Sequence, residues 1–275
     1  MTQVDSGHRQ TPDVCVVAVD LGNSAAKWSI DRCGQSHRVL LRLPNWIDSL
    51  VDSAVSQTEG KTISWRIASV NRPVTKLLIA RLEEFLEKSP GVTVRVIDAS
   101  DVPIEVCVAN PDRVGIDRLL AAWQAAVTYH GQSSIVVDAG SAITVDVVSA
   151  RGQFLGGAIL PGIALQFESL ARGTDALPAI DFMLDVPDDL TQNAFDMPAT
   201  DTVSAIRTGI LLGTAAAIDG LIKHRVCRME PSDGDPRSMP ILFTGGDAKR
   251  LSGLIQHPHE VRACVVLDAI HELKL

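Results

Sequence analysis

The sequence predicts an α/β protein made of two similar domains, each with a mixed sheet and flanking helices. A buried strand pattern runs into an Asp-x-Gly-(Asn/Ser) turn twice, at Asp20 and at Asp138, and another strand pattern follows each turn at once. After each of these hairpins, strand and helix patterns alternate. The repeat is one of pattern rather than of residue identity. We therefore expect two related domains with the functional site in the cleft between them.

We divide the chain into an N-terminal extension (1–12), a first domain (13–129) and a second domain (130–275). The extension is polar and lacks the apolar segment of a secretory signal, so we expect it to be flexible. The predicted strands of the first domain are Val14–Val19, Ala25–Ile30, Arg38–Leu43, Ile63–Val70 and Thr93–Ile97. Its predicted helices are Trp46–Gln57, Val74–Lys88 and Arg113–Tyr129.

The second domain repeats this order of patterns. Its predicted strands are Ser134–Val137, Ala142–Val148, Gln153–Leu160, Ile241–Thr244 and Val261–Leu267. Its predicted helices are Gly162–Arg172, Thr202–His224 and Ala248–Gln256. Proline and glycine mark the joints between elements, as at Pro161 and Gly162.

The composition fits a folded domain and opposes several function classes. Of the 275 residues, 46% are hydrophobic and 21% are charged, which allows a sizeable core and argues against disorder. The net charge of −8 opposes a nucleic-acid binder, which would present a basic face. We find no apolar run as long as a membrane span. The five cysteines are scattered without metal-site spacing, as in proteins of a reducing cytosol, so we expect a cytoplasmic protein.

The first motif is the turn after the opening strand. Gly22 permits a tight turn and lets backbone N–H groups approach an anion, while Asn23 and Lys27 can donate to phosphate oxygens. Asp20 suits a metal ion or its bound water. An ordinary hairpin turn explains the same residues equally well. The motif reads Asp20, Leu21, Gly22, Asn23, Ser24, Ala25, Ala26 and Lys27.

The second motif repeats this arrangement from Asp138 to Ser141. Two such copies provide donors for the phosphates of a nucleotide and carboxylates for the cation that screens them. Thr144 and Asp146 follow on one face of the next strand. They are either ligands or hydrogen-bonding residues at the edge of the core.

Two further motifs suggest binding surfaces. A strand ends at Gly245 and Gly246 just before a helix, which exposes helix N-terminal amides and leaves room for a flat ring or a phosphate, although a plain strand-to-helix turn has the same residues. Asp117 and Arg118 stand at the start of an apolar helix. An Asp can accept a hydroxyl proton and an Arg can pair with a carboxylate substrate. The alternative is a favourable N-terminal Asp beside an Arg that needs a partner.

Taken in order, these motifs resemble the type III pantothenate kinases. The shared pattern is Asp-x-Gly-Asn-(Thr/Ser), Asn-Pro-x-x-x-Gly-x-Asp-Arg, Asp-x-Gly-(Thr/Ser)-Ala-x-Thr-x-Asp and Thr-Gly-Gly-Asp, from Val14 to the C-terminus. The first and last of these are shared with acetate kinases, sugar kinases, heat-shock chaperone ATPases and actin. The specific part is the Gly115–Arg118 motif together with the Asp138 motif.

The resemblance implies two RNase-H-like (actin-like) domains with five-stranded mixed sheets, and a cytoplasmic homodimer. It implies the ATP-dependent phosphorylation of pantothenate to 4′-phosphopantothenate, the first step of coenzyme A synthesis. ATP would enter with Mg²⁺, and a monovalent cation, K⁺ or NH₄⁺, would bind at Asp138. No nucleic acid or membrane is expected as a partner.

The resemblance also implies residue roles. Asp20 to Lys27 would line the ATP phosphates, and Ser141, Gly245 and Gly246 would contact the rest of ATP. Pantothenate would be held by Gly115, Ile116, Asp117, Arg118, Thr202 and Val108, with Asp117 as the general base. Ser24 and Ser141 replace the usual Thr and keep the hydroxyl. Val108 stands where the family often has Tyr.

Three other functions fit the same scaffold. A kinase of the same superfamily for another small hydroxyl substrate is opposed by the Gly-x-Asp-Arg motif. A non-catalytic accessory or regulatory protein is opposed by the presence of Asp20, Asp117 and Asp138. A phosphatase or ATPase would consume ATP without an acceptor.

Overall fold

The computed structural model describes residues 14–31, 35–58, 61–86, 92–181, 186–187, 190–226 and 239–275. The predicted N-terminal extension lies outside these residues. The chain forms two compact units, Met1–Ile97 and Asp98–Leu275.

The first unit contains one five-stranded sheet with the strand order β3-β2-β1-β4-β5. β1 to β3 pair antiparallel, whereas β4 runs parallel to β1 and β5 parallel to β4. Its core encloses the fully buried Trp65 and the buried side of α1, including Leu50. The strands are β1 (Val14–Leu21), β2 (Ala25–Ile30), β3 (Ser36–Leu40), β4 (Thr62–Ser69) and β5 (Thr93–Val96), and the helices are α1 (Trp46–Ser56) and α2 (Arg72–Leu86).

The second unit contains a six-stranded sheet. Its strands are β6 (Glu105–Val106), β7 (Ser134–Ala139), β8 (Ala142–Val148), β9 (Gln153–Pro161), β10 (Ile241–Thr244) and β11 (Glu260–Val261), in the order β11-β10-β7-β8-β9-β6. Its helices are α3 (Ile116–Thr128), α4 (Ile163–Gly173), α5 (Thr202–Val226), α6 (Ala248–Ser252) and α7 (Val265–Glu272). Short 3₁₀ turns lie at Ala99–Asp101, Pro111–Arg113 and Gln192–Ala194.

The two sheets repeat one topology, which confirms the predicted α/β fold of two RNase-H-like units. β7 to β9 form an antiparallel meander like β1 to β3, and β10 runs parallel to β7 as β4 does to β1. β11 then pairs parallel with β10, as β5 does with β4. The second sheet differs from the prediction by one strand, because β6 pairs parallel with the edge of β9.

The predicted strand Val261–Leu267 is wrong. Only Glu260–Val261 pairs with β10, and the chain turns at Cys264, whose φ is 63°, into helix α7. α7 buries one continuous apolar group against α3. A short apolar run has no clear period of its own, so packing decided between strand and helix here.

The compact units divide at a different place from the predicted boundary after Tyr129. α3 packs against α7 and against β7, β8 and β9 of the second sheet. β6 also pairs within that sheet. The Gly115–Arg118 motif therefore belongs to the second compact unit.

Helix α5 is long and apolar enough to cross a membrane, with a mean hydropathy of 1.4 over its most apolar window. Arg207 and Asp219 interrupt this helix, so it is not the unbroken apolar run that the sequence analysis searched for. Ile210, Ile218 and Ile222 of α5 pack into the same buried cluster as Ile135 and Phe243 of the second sheet. We therefore assign α5 to the core of the second unit.

Candidate active site

The turn between β1 and β2 carries the first motif. The N–H of Gly22 donates to the carbonyl of Ala25 across 3.1 Å and closes the hairpin. Asn23 and Ser24 are exposed at its tip. Three other residues of the motif, Leu21, Ala25 and Ala26, are buried, so their side chains are not accessible to a ligand.

The two charged residues of this motif face each other across the hairpin. Asp20 on β1 is opposite Lys27 on β2, and Lys27 Nζ lies 3.7 Å from Asp20 Oδ2. Both side chains are mostly covered, with 31% of Lys27 and 14% of Asp20 exposed. The pairing places a positive and a negative group beside the exposed tip.

Two hydroxyl residues support this turn from β4 and α2. Ser69 Oγ donates to the carbonyl of Leu21 across 3.1 Å, and Thr75 Oγ1 donates to Ser69 Oγ across 2.7 Å. Sequence analysis missed Ser69 and Thr75. The available signal was that β1 and β4 are parallel neighbours in this topology, which brings their carboxyl ends together.

The second and third motifs meet at one edge of the second sheet. β7 and β10 are parallel neighbours, with Thr244 beside Asp138. The N–H of Asp247 donates to the carbonyl of Ala139 across 2.9 Å. Gly245 has φ = 104°, and a Cβ there would overlap both the Ala139 carbonyl and Asp138 Oδ1. The turn therefore needs glycine for its backbone angle and for its close approach.

The turn at Gly162 also lies beside the second motif. The N–H of Gly162 donates to the carbonyl of Ser141 across 3.1 Å, and α4 begins at the next residue. A Cβ at Gly162 would overlap the Gly140 carbonyl. The turns that contain Ser141, Gly162 and Gly245 thus form one cluster in the second unit.

Asp138 is the carboxylate of this cluster. It is the penultimate residue of β7, is half-buried, and lies against Gly245 and Gly140. Within the described ranges, no three His, Cys, Asp or Glu side chains are grouped to hold a metal ion. Asp138 Oδ1 and the Ala139 carbonyl oxygen both lie beside Gly245, and carboxylate and carbonyl oxygens are hard ligands.

The fourth motif forms a second cluster, around the start of α3. Asp117 Oδ1 accepts a hydrogen bond of 2.8 Å from the N–H of Arg118. The Arg118 guanidinium forms a two-pronged ion pair with Asp146 of β8: Nε donates to Oδ2 across 3.0 Å and Nη2 donates to Oδ1. Phe154 lies beneath the guanidinium, and Arg118 Cζ is 5.4 Å from the centroid of the Phe154 ring. Of the two alternatives for Asp146, the structure selects a buried hydrogen-bonding residue.

Burial gives Asp117 the character of a stronger base. It raises the pKa of the Asp117 carboxyl above its ordinary value, and the negative charge of Asp146 raises this pKa further. The N–H and the guanidinium of Arg118 act in the opposite direction. A carboxylate with a raised pKa binds a proton more tightly and is therefore better suited to accept one.

The two remaining predicted substrate-binding residues, Thr202 and Val108, lie elsewhere in the second unit. Thr202 begins α5 and lines an apolar cavity of about 390 Å³ between α4 and α5, with Leu170 and Ile206 among its other walls. Val108 is half-buried beside β9, where a Cβ on Gly156 would lie 3.2 Å from Val108 Cγ1. Val108 thus presents an apolar surface next to the strand.

Comparison with known sequences identifies the family. The sequence profile of the type III pantothenate kinases matches residues 16–224. The chain belongs to the type III pantothenate kinase family.

Relatives from two bacteria match nearly end to end. The type III pantothenate kinase of Rhodopirellula baltica is 33% identical over 93% of this chain and 99% of its own length. That of Persephonella marina is 30% identical over 94% of this chain and 97% of its own length. Among solved structures, MreB5 of Spiroplasma citri bound to ADP covers 93% of this chain and 93% of its own, at 13% identity and a TM-score of 0.48. The predicted family and enzyme class, a phosphotransferase, are confirmed.

The turn at Gly245 in this pantothenate kinase family member gives a first prediction. Gly245→Ala should lower the free energy of unfolding by at least about 2 kcal/mol, because the new Cβ meets two oxygens and the backbone angle is strained. Gly246→Ala is the matched control, since its Cβ would meet open space. Urea unfolding measures both. Equal stability of the two variants would contradict the prediction.

The raised pKa of Asp117 gives a second prediction. The folded state holds the Asp117 proton more tightly than the unfolded state, so the ionised carboxylate destabilises the fold above the raised pKa. At pH 7, Asp117→Asn should therefore unfold at the same or a higher temperature than the wild type, and the difference should shrink as the pH falls towards about 4. Calorimetry at both pH values tests this, and a clearly lower Tm at pH 7 would refute it.

Proposed function

We propose that this family member transfers the γ-phosphoryl group of ATP to the primary hydroxyl of pantothenate, giving 4′-phosphopantothenate, and that Asp117 is the general base. The observation that carries the proposal is the Asp117 carboxylate itself. It lies at the start of α3, is held by the N–H of Arg118, and has a pKa raised by burial. Its place in the Gly-x-Asp-Arg motif links it to the pantothenate site of the family.

The reaction requires alignment and charge stabilisation more than covalent chemistry from the protein. Asp117 accepts the hydroxyl proton as the pantothenate oxygen attacks the γ-phosphorus. One P–O bond forms, the bond to the β-phosphate oxygen breaks, and ADP leaves with its electron pair. Gly115, Ile116 and Arg118 hold pantothenate around Asp117, and Thr202 and Val108 provide further contacts. Arg118 does so with a guanidinium already fixed by Asp146.

We assign the ATP contacts to two groups of residues. In the first, the exposed tip at Asn23 and Ser24 donates to phosphate oxygens, and Lys27 adds positive charge. In the second, Ser141 and the Gly245–Gly246 turn contact the remaining parts of ATP. Because Gly245 has no side chain, its backbone packs closely against the end of β7, and a flat ligand would need the space that this leaves. These assignments follow the motif matches together with the exposure of the turns.

Two cations accompany the reaction in this proposal. Asp20 would bind the Mg²⁺ that accompanies ATP, directly or through water, and the ion would supply positive charge to the phosphates. Asp138 would hold K⁺ or NH₄⁺ together with carbonyl and water oxygens. The single carboxylate among backbone oxygens suits a weakly held monovalent ion better than a tightly held divalent one.

We also propose a cytoplasmic homodimer without nucleic-acid or membrane partners. The net charge of −8 supports the absence of a nucleic-acid partner. The burial of α5 residues in the core of the second unit supports the absence of a membrane span. Light scattering coupled to size exclusion measures the oligomeric state.

A coupled assay of ADP release tests the proposed reaction. With ATP, Mg²⁺ and K⁺, we expect ADP release that depends on pantothenate and falls when Na⁺ replaces K⁺. No dependence on pantothenate would defeat the proposal. ADP release without any acceptor would indicate an ATPase, and release with another alcohol alone would indicate a different kinase.

The role of Asp117 has its own test. Asp117→Asn should fold and lose a factor of about 10²–10⁴ in kcat, the usual contribution of a positioned general base. In the wild type, kcat/KM should fall on the acid side at a pH above the ordinary Asp pKa of about 3.9, because the base must be ionised and its pKa is raised. Asp52→Asn, on the exposed side of α1, is the matched control. Near wild-type turnover of Asp117→Asn would remove Asp117 from this role.

A further inference from the structure

We infer that Asp146 is a positioning residue of the phosphoryl transfer: it holds the Arg118 guanidinium, so that the Arg118 backbone N–H orients the Asp117 carboxylate and the guanidinium does not form an ion pair with that carboxylate. This inference rests on the proposed function. It concerns a residue on β8, outside the Gly115–Arg118 motif.

The contact between Asp146 and Arg118 uses both oxygens of the carboxylate. Nε and Nη2 of Arg118 donate to Oδ2 and Oδ1, the two-pronged geometry that a guanidinium and a carboxylate form best. Asp146 is only 2% exposed and the Arg118 side chain 17%. A pair this well covered is little weakened by solvent, and it restricts the guanidinium to one orientation.

The neighbouring strand, β9, leaves space for this ion pair. Gly157 of β9 is directly opposite Asp146, and a Cβ there would overlap Asp146 Oδ1 and the Val145 carbonyl. Phe154, earlier on the same strand, lies under the guanidinium. The pair is therefore enclosed by α3, β8 and β9 rather than formed by two loose surface side chains.

Arg118 connects the pair to the base. Its side chain is held by Asp146, while its backbone N–H donates to Asp117 Oδ1. A movement of Arg118 therefore moves the hydrogen bond that orients Asp117. A misplacement of about 1 Å at a reacting group can cost about 10²-fold in rate, so this connection bears directly on turnover.

The charges of the two carboxylates also link Asp146 to Asp117 through Arg118. Asp146 and Asp117 are the two carboxylates whose charges act on the Arg118 guanidinium. With Asp146 neutral, Asp117 is the carboxylate left to attract Arg118. An ion pair between Asp117 and Arg118 would stabilise the ionised carboxylate and weaken it as a base. Asp146 thus keeps Asp117 available for the hydroxyl proton.

Steady-state kinetics of Asp146→Asn provides the test, with kcat, the KM of each substrate and the pH profile as readouts. We expect kcat to fall about 10- to 100-fold, with the KM for ATP changed less than about twofold. The acid limb of the profile should move to lower pH, because the charge of Asp146 raises the pKa of Asp117. Glu168→Gln, which removes an exposed carboxylate of α4, should behave as the wild type.

The Arg118→Gln background tests whether Asp146 acts through Arg118. In that background, adding Asp146→Asn should change kcat less than about threefold, because the contact is already lost. A further tenfold loss there would overturn the inference. Unchanged kcat in folded Asp146→Asn, even with a lowered Tm, would also overturn it, because the pair would then serve stability alone.

A substitute variant and the activity of the wild type separate failure of this inference from failure to fold and from failure of the proposed function. If Asp146→Asn does not fold, Asp146→Glu replaces it: the charge remains, the carboxylate is displaced, and kcat should fall while the KM for ATP stays. Wild-type kcat in Asp146→Glu would then overturn the inference. A wild-type enzyme without pantothenate-dependent turnover would overturn the proposed function and this inference together, whereas an active wild type with unaffected variants overturns the inference alone.

Discussion

β10 runs parallel to β7, so that Thr244, the last residue of β10, lies beside Asp138, the penultimate residue of β7. The first unit has the same arrangement, with β4 parallel to β1 and Ser69 beside Leu21. Parallel neighbours end at one edge of a sheet, so the turns that follow them are brought together. The polar turns of each unit thus gather at one edge, while the apolar parts of the strands form the core.

The second cluster depends on charge rather than on strand ends. Arg118 contacts two carboxylates in different ways: a two-pronged pair with Asp146 and a backbone N–H to Asp117. A buried ion pair is weak evidence for stability, because removing two charges from water costs much of what their attraction returns. Its specific value here is orientation, since it leaves one nearby carboxylate neutralised and the other, Asp117, with a raised pKa. The raised pKa of Asp117 lowers the stability of the fold where that carboxyl is ionised.

Errors in prediction fall where local pattern carries little information. The run from Val265 to Leu267 is apolar without a period, and contact with α3 made it a helix. Ser69 has no motif around it, and only its position at the end of β4 gives it a role. Each case required a contact with a distant part of the chain.

The sequence by itself determined the fold class, the hairpin turns and the family. These depend on local signals: apolar periodicity, glycine in tight turns, and short motifs in a fixed order. The tertiary structure decided that Asp146, 28 residues from Arg118, is its partner, and that Gly157 leaves space for their contact. It also decided which residues of the first motif are buried and which are exposed. The physical reason is that burial and side-chain pairing arise only when separate elements pack, and no local pattern records which elements will meet.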